Sequence, residues 1–487
     1  MKKEPNLPGF PNEIFATSAR VKQASIRALQ PLLTQLSLSG YSTLFNEYIS
    51  GDFLQKIDTT KRQRAFGCTV IFWAWLAQIL EQNASCNRGL TLVQNWCRAL
   101  KLPIPSSDTS SYCKARQRLS LSFLKKIHAK VLQTLISREQ DREMWRGFRL
   151  KAFDGCSVKL LDTEANQKIY PQPTSQPAGC GTPVMGFVRL LNLSYGGLEQ
   201  VKTCRHTRHD SRASGALVRH LGEGDLLLAD RAFCSYQLLA RCREQGAHTL
   251  MRLNGARHRA LSWKKGKRIG KHERLVTWKR PQYSKNSGMG RAQWEALPAT
   301  MEVRLIKMKF ETRTGEMKDL VVVTSLVNCR DYPAAEVIDL YARRWEIEVR
   351  FRDVKTTLRM EEFAVKHPKM AHKTLLMSVI AFNLLKGLMQ QAAQRANKPL
   401  EEISFKGCLD VVVTHQEGFR KYADKRRSLK AAREELLELI GTKLVNIRPF
   451  RREPRGVKRR PKAYPLLNKP RAEYVEIAHR SRYTKPA

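Results

Sequence analysis

Apolar residues recur at helical spacing over residues 21–38, 66–82, 90–100 and 108–119, with short polar breaks between them. This spacing predicts an all-helical module reaching to about residue 145. After Trp145 the period shortens to that of strands. Residues 148–155, 184–194 and 198–206 read as three strands, and Tyr195-Gly196-Gly197 joins the last two as a meander. An apolar-periodic stretch over 211–221 predicts a helix. It is followed by a short buried run, DLLLAD at 225–230, a helix over 235–244 and a strand over 248–254.

Residues 254–319 are polar, contain glycine and turn locally β-rich, with VTWKR (276–280) and MEVRLIKMKFE (301–311) as the clearest strands. They read as a β insertion. A last strand over 320–327 precedes Pro333, placed to open a long helix running to about Leu358. Further helices are expected over 369–396 and 428–439. Three meandering strands followed by alternating helices and strands predict an α/β fold, an RNase H-like mixed sheet covered on both faces. The expected organisation is a helical DNA-binding domain over 1–145, a catalytic domain over 146–395 with its β insertion at about 255–319, and a helical region with a basic arm over 396–487.

Composition adds a partner. The 487 residues hold 87 Lys and Arg against 44 Asp and Glu, a formal net charge of +43, while 42% are hydrophobic. Such a chain buries a core, so the excess charge is not that of a disordered tail. It calls for a polyanion, either nucleic acid or an acidic membrane surface. The apolar run at 68–80 is too short to span a bilayer and reads as a buried helix, the run at 375–389 is broken by Asn383 and Lys386, and the N-terminus has no apolar signal region. A cytoplasmic protein without a membrane partner is the expectation. The 11 cysteines are scattered with no C-x-x-C spacing, as suits reduced thiols. Residues 448–471 gather ten basic residues and five prolines around a single acid, Glu453, predicting an extended basic arm. Lys114, Arg116 and Arg118 sit on a short predicted helix that suits either a DNA groove or a solvated face.

Three acids occupy suggestive places: Asp154 at the expected end of the first strand, Asp230 at the end of DLLLAD, and Glu348 within the long basic helix. Taken singly, each is a common turn or ion-pair residue. Brought to one cleft, three carboxylates repel unless divalent cations neutralise them. Oxygen ligands suit Mg²⁺, with Mn²⁺ able to substitute, and a pair of such ions supports phosphodiester cleavage. At 100° per residue from Tyr341, Arg344, Glu348 and Lys355 fall at roughly 300°, 340° and 320°, on one stripe, whereas Glu346 points roughly 140° away. A packing face is expected to be apolar, so the stripe reads as a phosphate-facing one.

The segment YARRWEIEVRFRDVK holds Y-x2-R-x3-E-x6-K, and with the DG of FDGCSV and the ADRAF of LLLADRAFCSY, in that order, the chain resembles bacterial DDE transposases of the insertion-sequence-four family. The resemblance covers about residues 145–395. It implies that Asp154, Asp230 and Glu348 are the catalytic, metal-binding triad and that Tyr341, Arg344 and Lys355 contact DNA near the cleaved end. It further implies cut-and-paste transposition on double-stranded DNA, through terminal inverted repeats and a target, by a homodimer on DNA. In that family an aromatic of the insertion stacks on a flipped base, for which Trp263, Trp278 and Trp294 are candidates. Ala232 stands where relatives often have Gly. Two alternative functions share these features: a catalytically silent DNA-binding protein derived from a transposase, and another RNase H-like nuclease.

Overall fold

The computed structural model describes residues 38, 40–58, 66–81, 85–99, 102–139, 144–174, 181–206, 213–260, 262–311, 317–342, 357–423 and 425–445. The helices α1 (Gly40–Leu44), α2 (Gly51–Ile57), α3 (Cys68–Leu80), α4 (Cys86–Ala99), α5 (Ser110–Arg118) and α6 (Leu121–Ile136) come first. Then follow β1 (Arg149–Leu160), α7 (Glu164–Ile169), β2 (Val184–Asn192), β3 (Leu198–Arg205), β4 (Asp225–Ala229), α8 (Tyr236–Glu244) and β5 (His248–Arg252). The next stretch holds α9 (Gly255–Arg259), β6 (Lys267–Gly270), β7 (Glu273–Lys279), α10 (Arg291–Glu295), β8 (Thr300–Glu311) and β9 (Met317–Thr324). The chain continues through α11 (Ala334–Ala342), β10 (Glu362–Phe363), α12 (Pro368–Arg395), α13 (Phe405–Lys421) and α14 (Arg426–Thr442).

The strands form one sheet in the order β3-β2-β1-β4-β5-β9-β8-β7-β6, with β10 added alongside the far end of β1. β1, β2 and β3 are antiparallel neighbours, while β4 runs parallel to β1 and β5 parallel to β4. That is the RNase H-like arrangement. The insertion strands do not form a separate layer. β9 pairs with β5 on one side and β8 on the other, so β6 to β9 continue the main sheet. Of the helix expected over 211–221, Ala213 and Ser214 are helical, and a turn and a 3₁₀ segment at Val218–His220 follow. Leu217, Val218 and Leu221 bury against the sheet.

Side chains alternate between the two faces. On one face, Phe153, Val188, Leu190, Leu227, Ala229, Val303 and Val323 pack with α8 and the insertion. On the other, Ala152, Cys156, Val158, Met185 and Phe187 meet a large helical layer, while Leu150, Leu226, Leu228, Leu250 and Val322 meet α11. The helical layer is shared along the chain: Phe72 and Trp75 of α3, Ile127 and Val131 of α6, Phe382 and Leu385 of α12, Cys408 and Val412 of α13, and Leu436 and Ile440 of α14 belong to one core.

At its centre lies α12, 28 residues long and apolar enough to cross a membrane by length and composition, yet with 94% of its most apolar window buried inside the protein. Two of its polar interruptions, Asn383 and Lys386, have partners in the core. Asn383 Oδ1 accepts the Leu198 N–H at 2.8 Å and its Nδ2 donates to the Leu198 carbonyl at 2.9 Å, a carbonyl that His128 Nε2 also reaches at 3.0 Å. The Lys386 ammonium lies between the rings of Phe382 and Phe405, 5.5 and 5.2 Å from their centres.

A second buried polar group fixes the approach to α11. Arg304 of β8, fully buried, donates Nε to Glu273 Oε2 at 2.8 Å and Nη2 to the same oxygen. Its Nη1 donates to the carbonyls of Tyr332 at 2.6 Å and Leu326 at 3.3 Å. Tyr332 is followed by Pro333, so the start of α11 is tied to the sheet through one guanidinium.

Candidate active site

β1 does not end at Asp154. It runs on to Leu160 with Gly155 paired to Val188, so the strand end expected at Asp154 is absent. What ends there is the neighbour. β1 and β4 are parallel and paired from Arg149↔Asp225 to Ala152↔Leu228, and the same register carried two residues further sets Asp154 opposite Asp230 just as β4 stops. Adjacent strands lie about 5 Å apart, so two carboxylates leave one face of the sheet side by side. By alternation that face is the one shared by Leu150 and Ala152 on β1 and by Leu226 and Leu228 on β4. The pair therefore sits at the junction between the helical layer and α11.

Each aspartate is held in place. Arg189, the β2 register partner of Asp154, donates Nη2 to Oδ2 at 2.7 Å and Nε to the same oxygen at 3.3 Å, while the Asp154 side chain keeps 30% of its exposure. Asp230 Oδ1 accepts the Ala232 N–H at 2.5 Å, and its carbonyl accepts the Phe233 N–H at 3.1 Å, an Asx turn that closes the strand. Ala232 is not among the residues with positive φ, so this turn makes no demand for glycine.

Among the described residues, the β1 edge beyond Ala152 has no strand partner until β10 joins it at Lys159↔Glu362, and Asp154 lies within that gap. The two ends of the gap are marked by the same stretch of chain. Tyr341, near the end of α11, aims its hydroxyl at the Ala229 carbonyl at 3.5 Å, and the Glu361 carbonyl accepts the Lys159 N–H at 2.9 Å. Arg344, Glu348 and Lys355 lie outside the described residues. Tyr341 differs from its expected exposure: it is buried with Leu228, Leu250 and Ile338, so at this position the helix stripe is a packing face.

The donors fit a hard cation. Asp154 and Asp230 offer carboxylate oxygens, the ligands Mg²⁺ and Mn²⁺ take, and among the described residues no cluster of three or more His, Cys, Asp or Glu ligands is assembled. The competing acids have structural tasks. Asp225 pairs with Arg149 at 2.9 Å and Lys151 at 3.2 Å and accepts the Gly222 N–H, and Asp162 accepts from Gln167.

Trp278 and Trp294 are buried in the core, Trp278 beneath Arg257 at 4.0 Å, while Trp263 is half-buried at its margin. On α5, Lys114 and Arg118 are exposed but Arg116 is folded over the Trp75 ring at 4.2 Å. Sequence reasoning missed Arg189. The available signal was one charge within the apolar strand VMGFVRLLN, every residue of which is buried.

The family described as Transposase DDE domain matches residues 194–384, a span that includes Asp230 and Glu348. This match and the RNase H-like sheet make the chain similar to transposases of the DDE class. The chain is 25% identical over 439 residues to "Transposase InsG for insertion sequence element IS4" of Escherichia coli (strain K12), covering 87% of this chain and 92% of that protein. The chain is thus similar to transposases of the insertion-sequence-four family over most of its length. A cryo-EM structure of a piggyBac transposase synaptic complex with hairpin DNA aligns with a TM-score of 0.41 and 9% identity, over 83% of this chain and 85% of that one.

Proposed function

We propose that this transposase cuts and joins DNA at the terminal inverted repeats of the element that encodes it, with Asp154, Asp230 and Glu348 as its carboxylate triad and Mg²⁺ as cofactor, Mn²⁺ substituting. The observation that carries this reading is the β1/β4 register, which sets Asp154 beside Asp230 where β4 stops. Glu348 is assigned with them from the Y-x2-R-x3-E-x6-K segment that carries the resemblance.

When bound by these carboxylates, divalent cations supply the activation of the attacking oxygen and the stabilisation of the leaving one. The protein's own part is placement. Arg189 fixes the Asp154 carboxylate, and the Asx turn fixes that of Asp230. Arg344 and Lys355 hold the phosphodiester through charge-assisted hydrogen bonds. Tyr341 acts through position, docking the end of α11 at Ala229 without touching DNA. If a base is flipped at the transposon end, the half-buried Trp263 is the residue to stack on it.

Lys114 and Arg118 on α5, together with the basic residues of 448–471, bind the phosphate backbone in a salt-sensitive way. The protein works in the bacterial cytoplasm, as a homodimer on double-stranded DNA. Incubating purified protein with Mg²⁺ and DNA carrying the repeats that flank its gene is expected to release the element, and Asp154→Ala, Asp230→Ala and Glu348→Ala to abolish release while the DNA complex persists in a gel shift. Binding by the unaltered protein without any metal-dependent product would favour a catalytically silent DNA-binding protein instead.

A further inference from the structure

Arg189 stands in a strand otherwise built from Val184, Met185, Phe187, Val188, Leu190 and Leu191, and it is 1% exposed. A leucine or methionine there would satisfy the surrounding core at no cost in desolvation, whereas a buried guanidinium is tolerated only beside a negative partner. That partner is Asp154. Nη2 and Nε both converge on its Oδ2, at 2.7 and 3.3 Å, which fixes the carboxylate's rotation as well as neutralising it.

We propose that Arg189 is a positioning and charge-setting residue of the carboxylate site: it holds Asp154 through Oδ2, and its positive charge opposes the incoming divalent cation and weakens that cation's binding. The inference rests on the reading of Asp154 and Asp230 as metal ligands. Asp154, Asp230 and Arg189 together carry one net negative charge. Without the guanidinium, two like charges lie on strands about 5 Å apart, and their attraction for a divalent cation rises.

The test is direct binding of Mn²⁺ to the full-length protein, counted by the loss of the free-ion electron paramagnetic resonance signal. Asp230→Asn is expected to bind at least about tenfold more weakly than the unaltered protein, while Arg189→Met and Arg189→Gln bind at least about tenfold more tightly and Arg189→Lys stays within about threefold. Arg189→Gln keeps an amide donor for Oδ2, so it carries the comparison alone if Arg189→Met is recovered unfolded by circular dichroism. A purely structural arginine would lower the melting temperature of both neutral variants and leave Mn²⁺ affinity where it was. Neutral variants that bind Mn²⁺ no more tightly than the unaltered protein overturn the proposal. Unchanged binding by Asp230→Asn would instead overturn the metal-ligand reading beneath it, so the two failures are told apart.

Discussion

Replacing Arg304 by methionine removes a buried charge while nearly keeping side-chain length. The loss leaves the Glu273 carboxylate, whose side chain is 14% exposed, without its guanidinium, and withdraws the donors serving the carbonyls of Tyr332 and Leu326. Breaking one side of a buried ion pair costs about 3–5 kcal/mol, because the remaining charge stays desolvated. Glu273→Met strands the guanidinium and is expected to cost a similar amount. The double variant removes both charges and leaves only the two carbonyls short of donors, for an expected cost of about 1–3 kcal/mol. The two substitutions are therefore coupled by at least about 3 kcal/mol, measurable as a double-mutant cycle from urea unfolding. Additive costs would refute the argument that the pair, and not each residue separately, secures the start of α11.

Asp154→Asn and Asp230→Asn are expected to lower strand cleavage at least about a thousandfold, since each removes a charged ligand worth several kcal/mol in the transition state, with binding of repeat DNA retained in a gel shift. Gly387→Ala brings a Cβ to 2.5 Å from the ring of Tyr48, whose hydroxyl is itself tied to Arg138 and Gln391. The gain in helix propensity of about 1 kcal/mol is outweighed by overpacking of about 1–3 kcal/mol, so the melting temperature falls; a rise would contradict it. Burial holds the His128 imidazole below its usual 6.5, outweighing the hydrogen bond to the Leu198 carbonyl, which favours the charged form. The unfolded chain then takes up the proton first as pH falls, so this share of stability is complete above about pH 7. It declines below 6.5 by up to about 1.4 kcal/mol per pH unit. In melts from pH 5 to 8, His128→Gln should show a shallower acid-side loss, and identical slopes would count against the assignment. Lys114→Gln with Arg118→Gln should reduce the salt slope of DNA binding by about two, and an unchanged slope would remove α5 from the interface.

Local pattern revealed the elements that are closed locally. The apolar runs at 68–80 and 225–230 and the meander through Tyr195-Gly196-Gly197 lie where their periodicity indicated. Asp230 was legible as the acid closing a buried strand. Asp154 was singled out as a strand end, but β1 continues past it and it is β4 that stops; strand pairing is non-local and leaves no trace in either segment alone. For the same reason the insertion gave no sign that its strands prolong the main sheet. Beyond Ser214 the stretch at 213–221 looked helical because Leu217, Val218 and Leu221 share a buried side, which a turn and a 3₁₀ segment also provide. α13 was overlooked although Ser404 caps it and Phe405, Cys408, Leu409 and Val412 follow helical spacing. Tyr341 shows the limit of a helical-wheel argument: the wheel groups residues on one side, but only the tertiary neighbours decide whether that side meets solvent or core.

The helical layer beneath β1, β2 and β3 has a consequence for synthesis. α3 and α6 leave the ribosome long before α12, and α12 finds its last neighbours only when α13 and α14 follow, so this core cannot close on a growing chain until nearly all the helices have emerged. A message interrupted before α12 yields a product whose largest apolar surface stays open to proteases and chaperones.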